Sequence, residues 1–247
     1  MSGHSKWAQI KRKKAVTDRN RGRLFTRLIR EIQIAARTGG GDPDGNPRLR
    51  FAIEQAKKNS MPADNIKRAV ARGSGADGGA ALVEGSYELY GPAGVAIIVE
   101  TATDNKNRTV GEIRHILGKY GGNLAESGSV SWMFTKIGTI TVPSRAIGEE
   151  RLLELALEAG ADDLRTDDPE FFEVRTSPEY FEAVRDALVT AGVAIEEANI
   201  AMLPQTMVAV TGNDATKVLR LIEALEENDD VQNVFSNADI DEAALVE

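Results

Sequence analysis

A glycine-rich stretch, Gly73-Ser-Gly-Ala-Asp-Gly-Gly79, divides the chain into two parts with different hydrophobic patterns. Before it, apolar residues recur at the three- and four-residue spacing of helices, and after it short apolar runs alternate with helical segments. A stretch with four glycines in seven residues favours neither a helix nor a strand. It therefore predicts a domain boundary, and we expect a first, helical domain at residues 1–78.

The first part is predicted to contain a two-faced helix between Arg23 and Arg37, which Gly39-Gly40-Gly41 ends. Asn46 as N-cap and Pro47 as first residue predict a second helix through Lys58, and a third is expected from Pro62 to Gly73. In the first helix one face is apolar and the other carries arginine; the apolar residues are Leu24, Phe25, Leu28, Ile29, Ile32, Ala35 and Ala36, and the arginines are Arg23, Arg27, Arg30 and Arg37.

The second part alternates strands with helices and predicts two α/β domains of the ferredoxin-like, split βαβ kind. Strands are expected at Val95–Thr101, Ser129–Phe134, Thr139–Val142, Phe171–Thr176, Ile195–Leu203, Met207–Thr211 and Val231–Phe235, and helices at Asn107–Tyr120, Gly148–Ala159, Pro178–Ala191 and Asp214–Glu227. Counting strands favours one domain at residues 79–135 and 204–240, with the other, residues 136–203, inserted in it. Two consecutive units, one of them incomplete, are the alternative. The expected fold class is α+β and multidomain.

Charge is distributed unevenly between the two parts. Residues 1–75 hold 18 lysines and arginines against 6 acids, a net charge of +12, whereas residues 76–247 hold 12 against 32, a net charge of −20. A solvated helix usually mixes charges of both signs, but the basic residues here have few acidic neighbours three or four positions away. The asymmetry predicts a basic module for a polyanion on an acidic body.

Nucleic acid is the polyanion that this pattern favours, and a merely solvated basic face is the alternative. Trp7 either packs on the helical domain or stacks on a base. The predicted nucleic-acid-binding residues are Lys6, Trp7, Lys11, Arg12, Lys13, Lys14, Arg19, Arg21, Arg23, Arg27, Arg30, Arg48, Arg50, Lys57, Lys58, Lys67 and Arg68.

The polar loop Asp104-Asn-Lys-Asn-Arg-Thr109 lies between an expected strand and an expected helix. Its Asp and Asn side chains suit a capping turn, since their oxygens can accept hydrogen bonds from free N–H groups. It could equally present Lys106 and Arg108 to RNA or to a partner, and the two interpretations are compatible.

The sequence offers little for catalysis. There is no cysteine, and neither of the two histidines has a nearby nucleophile or metal-ligand spacing. Asp162, Asp163, Asp167 and Asp168 form an acidic cluster that either holds a cation or makes a solvated turn, the latter being favoured because EF-hand spacing is absent. We therefore expect no enzyme activity, no metal, no cofactor and no small-molecule substrate. With no secretory signal or membrane span in the sequence, we expect a cytoplasmic protein.

Three stretches together resemble the YebC/PmpR family, which is known also through a mitochondrial translational activator of cytochrome c oxidase. They are Ser2-Gly-His-Ser-Lys-Trp7; Asp42-Pro-Asp-Gly-Asn-Pro-Arg-Leu-Arg50 leading to Met61-Pro-Ala-Asp-Asn-Ile66; and Thr103-Asp-Asn-Lys-Asn-Arg-Thr109 with Gly128-Ser-Val130. The resemblance covers essentially the whole chain. It implies a cytoplasmic protein with a helical N-terminal domain and two α/β domains, one inserted in the other.

The resemblance implies two different functions. Family members have been described as DNA-binding transcriptional regulators and also as ribosome-associated translation factors that relieve stalling at sequences such as proline runs. The residues show no obvious helix-turn-helix, and basic side chains spread over a domain surface suit phosphate contacts to folded RNA. The leading hypothesis is therefore a non-enzymatic translation factor that binds rRNA or tRNA on the ribosome. A DNA-binding transcriptional regulator is the alternative, and a metal-dependent hydrolase using the acidic cluster is the remaining one.

Overall fold

The computed structural model describes residues 18–76, 78 and 81–240, and of residues 18–21 it describes only the backbone. Contacts between residues divide the chain into two compact units. Residues 133–205 form one unit, and the described residues before 133 and after 205 form the other. The domain boundary predicted at residue 78 lies inside the second of these units and stays a prediction.

The described residues of the basic part of the chain form three helices: α1 (Asp18–Gly39), α2 (Pro47–Lys58) and α3 (Ala63–Gly73). Asn46 joins the first two, as its side-chain oxygen accepts a hydrogen bond from Leu49 N at 3.1 Å and its amide donates to Ala35 O at 2.8 Å. It thereby caps the start of α2 and binds the last turns of α1. The predicted cap and the predicted start of α2 at Pro47 are confirmed.

The helices pack around a small apolar core that contains Ile32, Leu49 and Ile66. At the end of α3 the backbone of Gly73 lies against α1, and a Cβ atom there would meet Gln33 O at 2.4 Å. Glycine is therefore required for the two helices to approach this closely.

The second part of this unit contains six strands and two helices among its described residues: β1 (Val83–Tyr90), β2 (Ala96–Thr103), α4 (Lys106–Tyr120), β3 (Asn123–Leu124), β8 (Val208–Val210), α7 (Gly212–Glu226), β9 (Val231–Ser236) and β10 (Ala238–Ile240). Four of the strands form an antiparallel sheet in the order β3-β1-β2-β9. Helices α4 and α7 pack against each other, and residues of both, including Ile113 and Leu221, share one core with the sheet. The short strands β8 and β10 form a parallel pair.

The elements of the unit at residues 133–205 are β4 (Phe134–Pro143), α5 (Glu149–Glu158), β5 (Asp163–Arg165), β6 (Phe171–Thr176), α6 (Phe181–Thr190) and β7 (Glu197–Pro204). This chain order of strand, helix, two strands, helix and strand is the split βαβ arrangement. The strands form an antiparallel sheet in the order β5-β6-β4-β7. Ile140, Leu152, Val174 and Leu188 are fully buried in this unit. The predicted α+β class, with one sheet domain inserted in another, is confirmed.

The expected strand at Ser129–Phe134 is wrong. Residues 131–133 form a short 3-10 helix, and Phe134 begins β4, which continues through the expected strand at Thr139–Val142. The N–H groups of Gly128, Val130 and Ser131 donate to the Glu88 carboxylate instead of to a neighbouring strand. Burial alone would raise the pKa of Glu88, but these donors outweigh it and the pKa is lowered.

Candidate nucleic-acid interface

The predicted nucleic-acid-binding residues of the helical part fall into three groups. The first group lies outside the described residues and comprises Lys6, Trp7, Lys11, Arg12, Lys13 and Lys14, together with the side chains of Arg19 and Arg21. The other two groups are the arginines of α1 and the basic residues of α2 and α3, and the structure gives them different surroundings.

The arginines of α1 face the sheet domain that follows. Arg23 forms an ion pair with Glu227 at 2.8 Å, and Arg27 donates to the carbonyl of Glu226 at 2.6 Å. Both partners lie at the C-terminal end of α7, where unpaired carbonyl groups and the helix dipole attract cations. Burial lowers the pKa of Arg27, whereas the negative charge of Glu226 raises it. Because the ordinary pKa of arginine lies far above neutral pH, Arg27 stays charged.

Arg30 reaches a buried carboxylate. Its guanidinium pairs with Asp230 at 2.8 Å and donates to the carbonyl of Ala102. The Asp230 side chain is 3% exposed and that of Arg30 is 16% exposed, so water screens this pair only weakly. We refer to Arg23, Arg27 and Arg30 as the docked arginines.

Asp230 also binds residues at the start of α4. Arg108 lies 2.8 Å from its carboxylate, and the hydroxyl groups of Thr109 and Thr103 donate to it at 2.7 and 3.0 Å. Burial would raise the pKa of Asp230, but the hydrogen bonds from Arg108, Thr109 and Thr103 and the charge of Arg30 lower it. Asp230 is therefore an ionised hub that joins α1 to the first turn of α4.

The loop at residues 104–109 forms the capping turn. The side chain of Asn105 accepts a hydrogen bond from Arg108 N at 3.1 Å, and Thr103 Oγ1 accepts one from Asn105 N at 2.9 Å. The Arg108 side chain is engaged by Asp230 and by Asp104, whereas Lys106 is exposed. Of the two side chains considered for RNA contact, the structure thus gives Arg108 acidic protein partners.

Arg48 and Arg50 on α2 are half-buried. Arg48 binds Glu31 at 2.7 Å and Glu84 at 3.0 Å, and although burial would lower the pKa of Arg48, these two carboxylates raise it. Arg50 approaches the carbonyl of Pro43 at 3.5 Å. These contacts tie α2 to its own domain and to β1.

Four predicted cations remain exposed on α2 and α3: Lys57, Lys58, Lys67 and Arg68. Among the described residues, Arg68 donates to the carbonyl of Asp64 and to the side chain of Asn65, both on its own helix. Lys57, Lys67 and Arg68 form no ion pair with another described residue. We call the four exposed side chains, Lys57, Lys58, Lys67 and Arg68, the exposed cation face.

Sequence reasoning did not find the acidic partners of the docked arginines. The only signal was the run Glu226-Glu227-Asn-Asp-Asp230, an acidic segment that begins in the last turn of the helix predicted at Asp214–Glu227. Because Arg27 and Glu226 are 199 positions apart, no spacing rule could pair them.

The four aspartates considered for a cation do not form a metal-holding cluster. Among the described residues no group of three or more His, Asp or Glu side chains is placed to hold a metal ion. Asp163 instead pairs with Arg165 at 3.0 Å, and Asp168 accepts a hydrogen bond from Glu170 N. None of the described helices is both long and apolar enough to cross a membrane.

Comparison with known proteins identifies the family. The model of the TACO1/YebC protein N-terminal domain matches residues 5–76, and the model of the TACO1/YebC second and third domain matches residues 82–238. The chain is 58% identical to a protein of Chloroherpeton thalassium over 245 residues, which cover 99% of this chain and 98% of the relative. It is 56% identical to a protein of Chlorobaculum tepidum with the same coverage.

Both relatives are named "probable transcriptional regulatory protein". The crystal structure of a conserved hypothetical protein from Aquifex aeolicus is 49% identical, with a TM-score of 0.87 and coverage of 96% of this chain and 97% of that one. The two family models together match nearly the whole described chain, one over the helical part and the other over the two sheet domains. The chain belongs to the TACO1/YebC family.

Proposed function

We propose that this protein is a non-enzymatic regulator of gene expression that binds rRNA or tRNA on the ribosome. It would act in the cytoplasm as a translation factor that relieves stalling. The observation that supports it is the exposed cation face of α2 and α3. These side chains are charged and exposed to water, whereas the docked arginines of the same domain are directed towards the end of α7 and towards Asp230.

The chemistry of the exposed cation face favours contacts to phosphate. Three of its four residues are lysines, whose compact charge binds phosphate without requiring one fixed geometry. Such contacts position a nucleic acid but do not read its sequence. A folded RNA, which presents phosphates at many angles, suits a cation set spread over two helices.

A DNA-binding transcriptional regulator is the second candidate. It is favoured by the names of the relatives, which describe transcriptional regulatory proteins. The same cations could bind the phosphates of duplex DNA, so the two candidates differ in their target and not in the residues they use.

Co-sedimentation with ribosomes at near-physiological salt separates the two candidates. We expect the full chain to sediment with ribosomes and to prefer structured RNA over a promoter duplex. The double variant Lys57→Gln/Lys67→Gln should stay in the supernatant, whereas the control Arg151→Gln/Lys217→Gln, which also removes two exposed cations, should sediment normally. A wild-type protein that remains in the supernatant and selects a promoter duplex over random DNA would establish the DNA-binding alternative.

A further inference from the structure

A cleft of about 510 Å³ lies where the C-terminal ends of α1 and α3 meet the residues before β1. Its lining includes Gln33, Arg37, Gly41, Arg72, Gly75 and Ala81. Neither of its two arginines belongs to the set predicted above to bind nucleic acid. The volume is within the usual range of ligand sites, roughly 300–1,000 Å³.

The cleft is positively charged. Arg37 donates to the carbonyl of Leu82 at 2.6 Å, and Arg72 is exposed on the last turn of α3. No Asp or Glu occurs among the described residues that line the cleft. Two helix C-termini each contribute about −0.5 charge, which is less than the two guanidinium charges, so a net positive potential remains.

Glycine gives the cleft its open walls. The close approach of Gly73 to Gln33 holds the ends of α1 and α3 together, and at Gly40 and Gly75 no atom lies within 4 Å of where a Cβ would be. A ligand can therefore reach the backbone without meeting side chains on these walls. The hydrogen-bond donors that an oxyanion requires would come from the two guanidinium groups, because the N–H of Gly75 already donates to the carbonyl of Arg72.

Arg72 connects the cleft to the exposed cation face. It follows Arg68 by four positions on α3, and residues four apart lie on the same side of a helix. A strand of nucleic acid that crosses the exposed cation face would therefore be led towards the cleft.

We propose that this cleft binds one phosphodiester group of a nucleic-acid backbone, with its flanking sugars, between Arg37 and Arg72. The inference rests on the proposed function and deepens it. The competing explanation is that both arginines only complement the helix dipoles, since each lies in the last turn of its helix.

Ala81 offers a matched pair of variants. It is exposed and lines the cleft, so Ala81→Glu places a carboxylate beside both arginines without removing either of them. Ala81→Gln adds a side chain of the same size without the charge. We expect Ala81→Glu to weaken binding of a short single-stranded RNA about fivefold to tenfold, and Ala81→Gln less than about twofold. If Ala81→Glu fails to fold, Arg72→Gln serves in its place.

The decisive readout is the amide spectrum of the ¹⁵N-labelled full chain during titration with that RNA. The amide signals of Gly40, Gly41 and Gly75 should shift and saturate with the binding curve, while those of Gly111 and Gly118 on α4 should not shift.

RNA binding that leaves the amide signals of the cleft glycines unshifted, and that Ala81→Glu does not weaken, would overturn the phosphodiester site and leave the proposed function intact. Shifts with inorganic phosphate but none with RNA would make it a free-phosphate site and overturn the nucleic-acid assignment. Failure of the wild-type chain to bind any RNA or DNA would overturn both.

Discussion

The docked arginines and the exposed cation face belong to the same helical domain and carry the same charge, yet their surroundings are opposite. Arg30 lies against a buried carboxylate, whereas Lys67 is exposed to water. A buried carboxylate is stable only when cations and hydrogen-bond donors surround it, so Asp230 requires Arg30 and Arg108. The comparison shows that a basic helix face in an acidic protein can serve to hold its own domains together.

This division separates two roles. We attribute the attachment of α1 to the sheet domain to the docked arginines, and the proposed nucleic-acid binding to the exposed cation face. Variants of the first group should then change stability and leave binding intact, and variants of the second should do the reverse.

The largest effect is expected from removal of the hub. Asp230→Ala leaves Arg30 and Arg108 without their shared carboxylate and should lower the free energy of unfolding by about 3 kcal/mol. Asp229→Ala is the matched control, because that neighbouring side chain is exposed and should change stability by less than about 0.5 kcal/mol. Denaturant unfolding of the full chain measures both, and equal effects would show that Asp230 is no hub.

A smaller loss is expected from a docked arginine. Arg30→Gln removes a charge-assisted contact to Asp230 and should lower the free energy of unfolding by about 2 kcal/mol, whereas Lys67→Gln should stay within about 0.5 kcal/mol. The midpoint of urea unfolding distinguishes them. Similar midpoints for the two variants would remove the distinction between docked and exposed cations.

Acid should weaken the docking. The pKa of Asp230 is lowered in the folded protein, so the folded state favours the ionised carboxylate. This contribution is complete above the ordinary pKa of Asp, about 3.9, and is lost as the pH falls through the lowered value. The free energy of unfolding should therefore decline between pH 6 and pH 2, and it should decline less steeply in Asp230→Asn than in the wild-type chain. Identical pH profiles for the two proteins would contradict this role of Asp230.

The smallest effect concerns the outer ion pair. Glu227 is 48% exposed in its pair with Arg23, so water and salt screen the interaction. Glu227→Gln should change the free energy of unfolding by less than about 0.5 kcal/mol and the RNA affinity not at all. A loss comparable with that of Arg30→Gln would place the attachment at Arg23 instead of at Asp230.

Local signals in the sequence predicted much of the fold. Asn46 and Pro47 predicted the start of α2 because capping and a fixed φ act within a few residues. Strand β1 was missed although Val83, Gly85, Tyr87 and Leu89 alternate with polar residues, since glycine and glutamate make the segment resemble a loop. The expected strand at Ser129–Phe134 failed because the Glu88 carboxylate, some 40 positions away, takes its N–H groups.

The candidate site could be predicted only in part. Sequence identified which residues are basic and which helix face each occupies, and this follows from helical periodicity. It could not show that the arginine face of α1 has a partner, because the partner, Asp230, comes from a distant part of the chain and its charge is one among many acids. The basic residues before α1 lie outside the described residues, and their role stays a prediction.

The salt dependence of RNA affinity tests the division of roles most directly. Two double variants, Arg23→Gln/Arg27→Gln and Lys57→Gln/Lys67→Gln, each remove two charges from the same helical domain, so their effects on net charge are equal. For a single-stranded RNA we predict that the lysine variant reduces the slope of log affinity against log salt by about 1.4, and that the arginine variant leaves it unchanged. A reduced slope in the arginine variant with an unchanged slope in the lysine variant would show that the face of α1 binds nucleic acid, and would contradict the division of roles.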